Sequence, residues 1–228
     1  MKLLIFLLMG LLPLLTARGQ EVVKTELVTV CVSESFGDLF IKSGEEVRRF
    51  GANRTGFSLP MAYVGPRVLQ VHDAKEDFEP VEGAAPPKPV GAVNLPTGCD
   101  RVLLICARDA EGGLKMKALD IDRGKMKGGD YRFFNMSSKP LAVVFGAEKL
   151  GLKPGQDLVV TKAAWREEVL DIPVQMAIPD DKAGKMRRVY SSIWGHRPGK
   201  RNFIMIMDGR GRRALSTSRF FDLAVPSE

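Results

Sequence analysis

Two histidines, three cysteines and a dense run of arginines are the residues of this chain whose chemistry is worth testing first. A histidine-type zinc site needs several imidazoles or thiolates at short spacing. His72 and His196 stand far apart in the sequence, and no CxxC, HExxH or DxDxDG pattern occurs. No metal site and no cofactor is therefore expected. His72 sits in "QVHDAKED" beside Asp73, but a Ser-His-Asp arrangement also needs a nucleophile on an exposed elbow, and no G-x-S-x-G is present. Strand alternation across residues 67–73 puts His72 opposite Leu69 and Val71, on the solvent side. The carboxylate pairs Glu45-Glu46, Glu167-Glu168 and Asp180-Asp181 are sequence neighbours beside turns. Adjacent strand residues point to opposite faces, so such pairs are badly placed to share a proton. "GPRVLQ" and "GRGRR" contain glycine, but no helix is expected after either, so neither forms a phosphate-binding helix start. No catalytic residue is assigned, and an enzyme is not expected.

The strongest non-structural signal is charge. The chain of 228 residues carries 34 Lys and Arg against 27 Asp and Glu. Basic residues crowd between Lys182 and Arg219, where the opposing acid is Asp208. If the strands at 188–195, 201–208 and 214–223 form a meander, Lys185, Arg187, Arg188, Arg210, Arg212 and Arg213 meet at one rim. Six like charges there would hold an anionic partner such as a polysaccharide. The same charges would also serve simply to protect a sheet edge from unwanted strand addition. Aromatic interleaving for base stacking is thin, so nucleic acid is not an expected partner.

Cys31 in "LVTVCVS" and Cys106 in "VLLICAR" fall in the middle of strand patterns, while Cys99 follows the loop "LPTG". An odd count leaves at least one thiol unpaired. One disulfide among the three and three free thiols both remain open. Asn53-Arg54-Thr55 and Asn135-Met136-Ser137 are sequons, which matter only in a host that glycosylates exported chains.

The elements that must position these residues are short apolar runs separated by Gly, Pro, Asn and Asp. Helical periodicity is nearly absent. That is the pattern of an all-β protein built as sandwiches or barrels. "VLLICA" and "FIMIM" are apolar at every position, so both faces of each strand should be covered. "LKMKAL" alternates and reads as a strand with one buried face. The strands divide near "DRGKMKGGD", seven or eight on each side. Two small immunoglobulin-like β-sandwich domains, 20–122 and 123–228, are expected. The Pro-rich stretch 74–91 is expected to be a long loop within the first of them.

Residues 1–19 read as a signal peptide: Lys2, the apolar run Leu3 to Leu15, then Ala17-Arg18-Gly19. Cleavage after Gly19 would leave residues 20–228 with no transmembrane segment, exported to the periplasm, the cell surface or the medium.

The segment "YRFFNMSSKPLAVVFGAEKLGLKPGQDLVV" resembles a module of uncharacterised exported bacterial envelope proteins with β-sandwich folds. It is also similar in outline to periplasmic accessory proteins of exopolysaccharide acetylation. The matching positions carry no catalytic residue. The resemblance implies a non-enzymatic envelope protein, an accessory of a surface assembly, with an envelope or surface protein as its partner.

Overall fold

The computed structural model describes residues 21–79, 82–83, 85–109, 111–161, 169–180, 184–209 and 211–223. The expected signal peptide, Arg210, Lys182, Glu167, Glu168 and Asp181 lie outside them. The described residues form strands joined by turns and two short 3-10 segments, with no α-helix.

Eight strands precede residue 123: β1 (Val22–Cys31), β2 (Phe36–Ser43), β3 (Glu46–Ala52), β4 (Met61–Pro66), β5 (Val68–Val71), β6 (Gly91–Asn94), β7 (Arg101–Arg108) and β8 (Leu114–Asp120). Eight follow: β9 (Tyr131–Asn135), β10 (Leu141–Phe145), β11 (Glu148–Leu152), β12 (Asp157–Val160), β13 (Leu170–Pro179), β14 (Met186–His196), β15 (Lys200–Asp208) and β16 (Leu215–Leu223). No strand pairing crosses between the two groups. β4 has little strand signal in the sequence, since "AYVGP" carries turn residues. It is an edge strand, so Pro66 at its end breaks no ladder on the free side.

The two halves share one topology. In the first, a sheet ordered β4-β1-β7-β8 faces the hairpins β2-β3 and β5-β6. Those hairpins are joined by paired backbone bonds between Phe40 and His72, at 2.8 and 2.9 Å. In the second, β12-β9-β15-β16 faces β11-β10-β13-β14. Each inner sheet has a parallel pair at its centre, β1 with β7 and β9 with β15. The repeat extends to detail. Beyond Cys31, the Val32 amide donates to the Cys106 carbonyl; beyond Asn135, the Met136 amide donates to the Ile206 carbonyl. At β7 and β15, "RVLLICAR" and "RNFIMIMD" have the same burial residue by residue.

The repeat explains why those two strands are apolar throughout. On one face Val102, Leu104 and Cys106 close the first sandwich core, as Ile204 and Ile206 close the second. On the other, Leu103 and Ile105 meet Phe203 and Met205, joined by Val28, Val30, Leu119, Phe134 and Phe220 in a third core between the halves. The molecule is thus four sheets deep, and the two parallel-centred sheets form the middle. Each fully buried aliphatic or aromatic side chain there contributes roughly 1.5–3 kcal/mol. Separating the halves would expose more than a typical domain's net stability of about 5–15 kcal/mol can tolerate.

Three expectations change. β8 does not bury one face only: Leu114, Met116 and Ala118 face the first core, but Leu119 on the other face enters the core between the halves. His72 is not on the solvent side. It is buried at 4% exposure, edge-on to Phe78 at 4.7 Å, with Nδ1 3.4 Å from Asp77 Oδ2. Alternation fails there because β5 ends at Val71 and His72 serves the bridge to Phe40 instead. The meander of the last three strands does not form either. β15 pairs with β16, but β14 crosses to the opposite sheet and pairs with β13.

β5 and β6, on either side of the 74–91 stretch, pair with each other, and its described residues include a short 3-10 segment, Glu76–Phe78, and Gly91, the first residue of β6. All three cysteines are free and buried, Cys31 opposite Cys106 in the parallel register and Cys99 apart from both. Burial pushes the Cys106 thiol well above its usual range.

Candidate functional site

β14 is the outermost strand of its sheet and β16 the outermost of the sheet facing it. Arg219 of β16 reaches the Gly195 carbonyl of β14, so these two outer strands border one lateral seam of the second half. The equivalent seam in the first half, between β6 and β8, is closed. There the Leu114 amide donates to the Val90 carbonyl at 3.0 Å. Gly91 packs so tightly that a Cβ would come within 2.7 Å of the Leu114 carbonyl oxygen.

In the second half the seam is occupied by Arg219. Aligning the first residues of β8 and β16, Leu114 and Leu215, puts Arg219 where the first half has Ala118. Its guanidinium carbon sits 4.6 Å from the Trp194 ring centre and 5.4 Å from that of Phe221. Nη2 donates to the Gly195 carbonyl at 3.3 Å, the contact that ties β16 to β14. Nε is buried and has no hydrogen-bond partner among the described residues. No carboxylate is ion-paired with Arg219 there. Burial lowers the affinity of this guanidinium for its proton, which Tyr131 and Tyr190 nearby partly counter. Tyr190 accepts from Trp194 Nε1 at 2.9 Å. Lys200 adds a second cation, 5.1 Å from the Phe221 ring centre, and Phe221 is 45% exposed. Beneath, Tyr131 and His196 share a buried hydrogen bond of 3.0 Å.

The expected basic rim is partly assembled. Lys185, Arg187 and Arg188 run into the exposed start of β14, and Arg212 and Arg213 lie in the β15–β16 hairpin. Because β14 leads into β15 through a turn, both groups fall at the same end of the second half even without the meander. Arg187 has Asp180 at 3.9 Å. Arg213 turns toward the other half: with Arg54, Glu34, Asp208 and Ser216 it lines a cleft of about 460 Å³. Asp208 there accepts from the Ser138 amide and hydroxyl, at 3.0 and 3.1 Å.

Asn135, the first residue of one sequon, is buried at 1% exposure. Its Nδ2 donates to the Lys139 and Leu152 carbonyls, and its Oδ1 accepts from the Ser137 amide and hydroxyl. It caps the turn between strands. Among the described residues no group of His, Cys, Asp and Glu is arranged to hold a metal ion, and no helix is long and apolar enough to cross a membrane.

Sequence reasoning placed Arg219 in the basic run but gave it no role. The signal that would have singled it out is the internal repeat, with "RVLLICARD" against "RNFIMIMDG". Once the halves are aligned, a charged residue appears where its counterpart is alanine. No known protein-family model matches the sequence, and no curated protein is significantly similar to it.

Proposed function

We propose that the chain is an exported, non-enzymatic β-sandwich protein that works as an interaction or assembly module of the cell envelope or surface, with the free edge of β14 as its line of contact. The observation that carries this reading is β14 itself: an 11-residue edge strand with Met186 49% and Ile193 68% exposed. A long edge with exposed apolar residues is a template for strand addition, and natural sheets usually blunt such edges. The charged residues of β14 itself, Arg187 and Arg188, stand only at its beginning. We read the halves as immunoglobulin-like in the broad sense of two packed sheets. The central parallel pair in each inner sheet departs from the antiparallel immunoglobulin pattern.

Export rests on the leader-like residues 1–19. N-terminal sequencing of the protein from its native host should give a chain starting at Gln20; a retained Met1 would defeat that part. For the contact line, a photo-crosslinking residue at Ile193 should capture an envelope or surface protein in the native host, and adding Ser191→Lys on the same exposed face should abolish capture. Absence of any adduct at Ile193 sinks the reading.

A second reading, a carbohydrate or anionic-polymer-binding module, is favoured by Arg54 and Arg213 on one cleft with no ion partner among the described residues. Replacing Arg210, Arg212 and Arg213 with Ala should then abolish retention on heparin, and retention in the parent should fall steeply with salt. Unchanged retention in the triple variant rules it out.

A further inference from the structure

Arg219 is costly where it stands. Its side chain is only half-buried, but its Nε is out of water with no acceptor among the described residues, and such a donor is destabilising. Arg219 has one backbone acceptor, two aromatic faces, and a buried Nε without a partner. The equivalent position of the first half holds Ala118, whose seam closes on itself. Among the described residues the second half therefore has no backbone bond closing this seam, and it places there a cation with an unpartnered donor.

The surroundings define what would fit. Lys200 and Arg219 give the seam positive charge, and no acid is ion-paired to either among the described residues. Trp194, Tyr190 and Phe221 give it aromatic walls. β14 borders it as the outermost strand of its sheet, with no strand paired to its outer edge among the described residues. Backbone amides and carbonyls at a free edge are matched by an extended peptide, not by a globular surface. A guanidinium with open donors is matched by a carboxylate, which accepts two parallel bonds from it.

We infer that the seam between β14 and β16 receives an extended segment of a partner protein, which adds to β14 and places a carboxylate side chain on Arg219. This rests on the strand-edge reading above and names the partner's chemistry. In the first half the chain closes the corresponding seam with its own residues Val90 and Leu114; in the second half the partner's strand does so.

The test uses the purified full chain and three fluorescent capped pentapeptides, Thr-Val-Glu-Val-Thr and its Gln and Lys counterparts. Anisotropy at low salt should show the Glu peptide binding at least about tenfold tighter than the Gln peptide, the effect of one hydrogen-bonded charge pair. The Lys peptide should be weakest. In Arg219→Gln, which keeps length and polarity, the Glu preference should fall below about threefold while Gln-peptide affinity is retained. Should Arg219→Gln fail to fold, a photoreactive Glu peptide is mapped on the parent, where adducts must fall on β14 and β16. Equal binding of Glu and Gln peptides overturns this inference and leaves the strand-edge reading standing. No binding of any peptide sinks both. A Glu preference that survives Arg219→Gln, or adducts elsewhere, also overturns it.

Discussion

Asp222 holds the two halves together by charge, and its removal is the sharpest test of the four-sheet arrangement. Its Oδ2 accepts from Arg101 Nη1 at 2.8 Å and from Arg201 Nη2. The side chains of Arg101 and Arg201 are 8% and 1% exposed. Arg101 comes from the first half and Asp222 from the second. Arg201 returns the contact, donating to the Ile121 carbonyl of the first half at 3.0 Å. Removing one partner of a buried pair costs about 3–5 kcal/mol, because the remaining charge is stranded. Arg101 keeps Glu26 at 2.7 Å and Arg201 keeps Ile121, so Asp222→Ala should fall near the low end, about 3 kcal/mol. For a chain of this size that corresponds to a melting-point drop of roughly 6–12 °C. Urea unfolding at neutral pH measures it, with the slope checked against the parent. Molar salt should not erase the difference, since the pair is screened from solvent. Replacing Arg101 and Arg201 with Met and Asp222 with Leu together should recover most of the loss. A deficit below about 1 kcal/mol for Asp222→Ala would refute the reasoning, because that is the value of an exposed pair.

Other expectations follow from single contacts. Asn135→Ala strands the Ser137 amide and two carbonyls and should cost roughly 2–4 kcal/mol in denaturant unfolding, whereas Asn135→Asp should recover only the part made by Oδ1. Gly91→Ala should open the first half's seam at a cost of about 1–3 kcal/mol, read by faster amide exchange at Leu114. Burial raises the Tyr63 and Tyr131 hydroxyls to about 12. The unfolded chain ionises them near 10, so the stability tied to their neutral forms is intact below that pH and is lost as pH climbs toward 12. Near-ultraviolet titration should show two late phenolate steps, removed one at a time by Tyr63→Phe and Tyr131→Phe. Burial raises the Asp120 carboxyl, but Lys125 and the Asp122 amide outweigh it and hold the carboxyl below its ordinary range. That contribution is present above the unfolded value and disappears as pH falls through the folded one, so Asp120→Asn should flatten the acid limb of a stability-against-pH curve.

The all-β class was legible because strand periodicity is local: "LAVVF" and "DLFIKS" each show it within six residues or fewer. The fully apolar "VLLICA" and "FIMIM" correctly marked strands covered on both sides. What covered them was not legible, because the third core joins residues from Val28 to Phe220 that only the packing of one half on the other brings together. His72 was misplaced for a related reason. Alternation predicts faces only while a strand continues, and the chain leaves β5 one residue before it. The basic rim was read from a meander, but hydrophobic pattern does not say which of two facing sheets a strand joins. β14 has an apolar face suited to either.

The repeat of one topology in the two halves gives the seam its meaning. Two copies of one topology were free to keep the same edge contacts, and in several places they did. Cys31 and Ser33 meet at 3.5 Å at the end of β1 as Asn135 and Ser137 meet at 2.6 Å at the end of β9. Arg101 and Arg201 occupy matching positions and each reaches across to the other half. The copies part at the β6/β8 and β14/β16 seams. β6 is four residues long and its seam is sealed, whereas β14 is 11 residues long and ends beside an arginine with no counter-ion among the described residues. Stability alone favours the sealed arrangement, since Ala118 in its place leaves no buried donor unpaired. A difference that lowers stability in one copy of a repeated fold is the difference to explain by binding, and Arg219→Ala gives the measurement. If the half-buried guanidinium with its unpartnered Nε is a net cost, the variant should be as stable as the parent or more so in urea. A loss above about 2 kcal/mol would mean that Arg219 braces the sandwich, and the seam would then be a packing solution rather than a site.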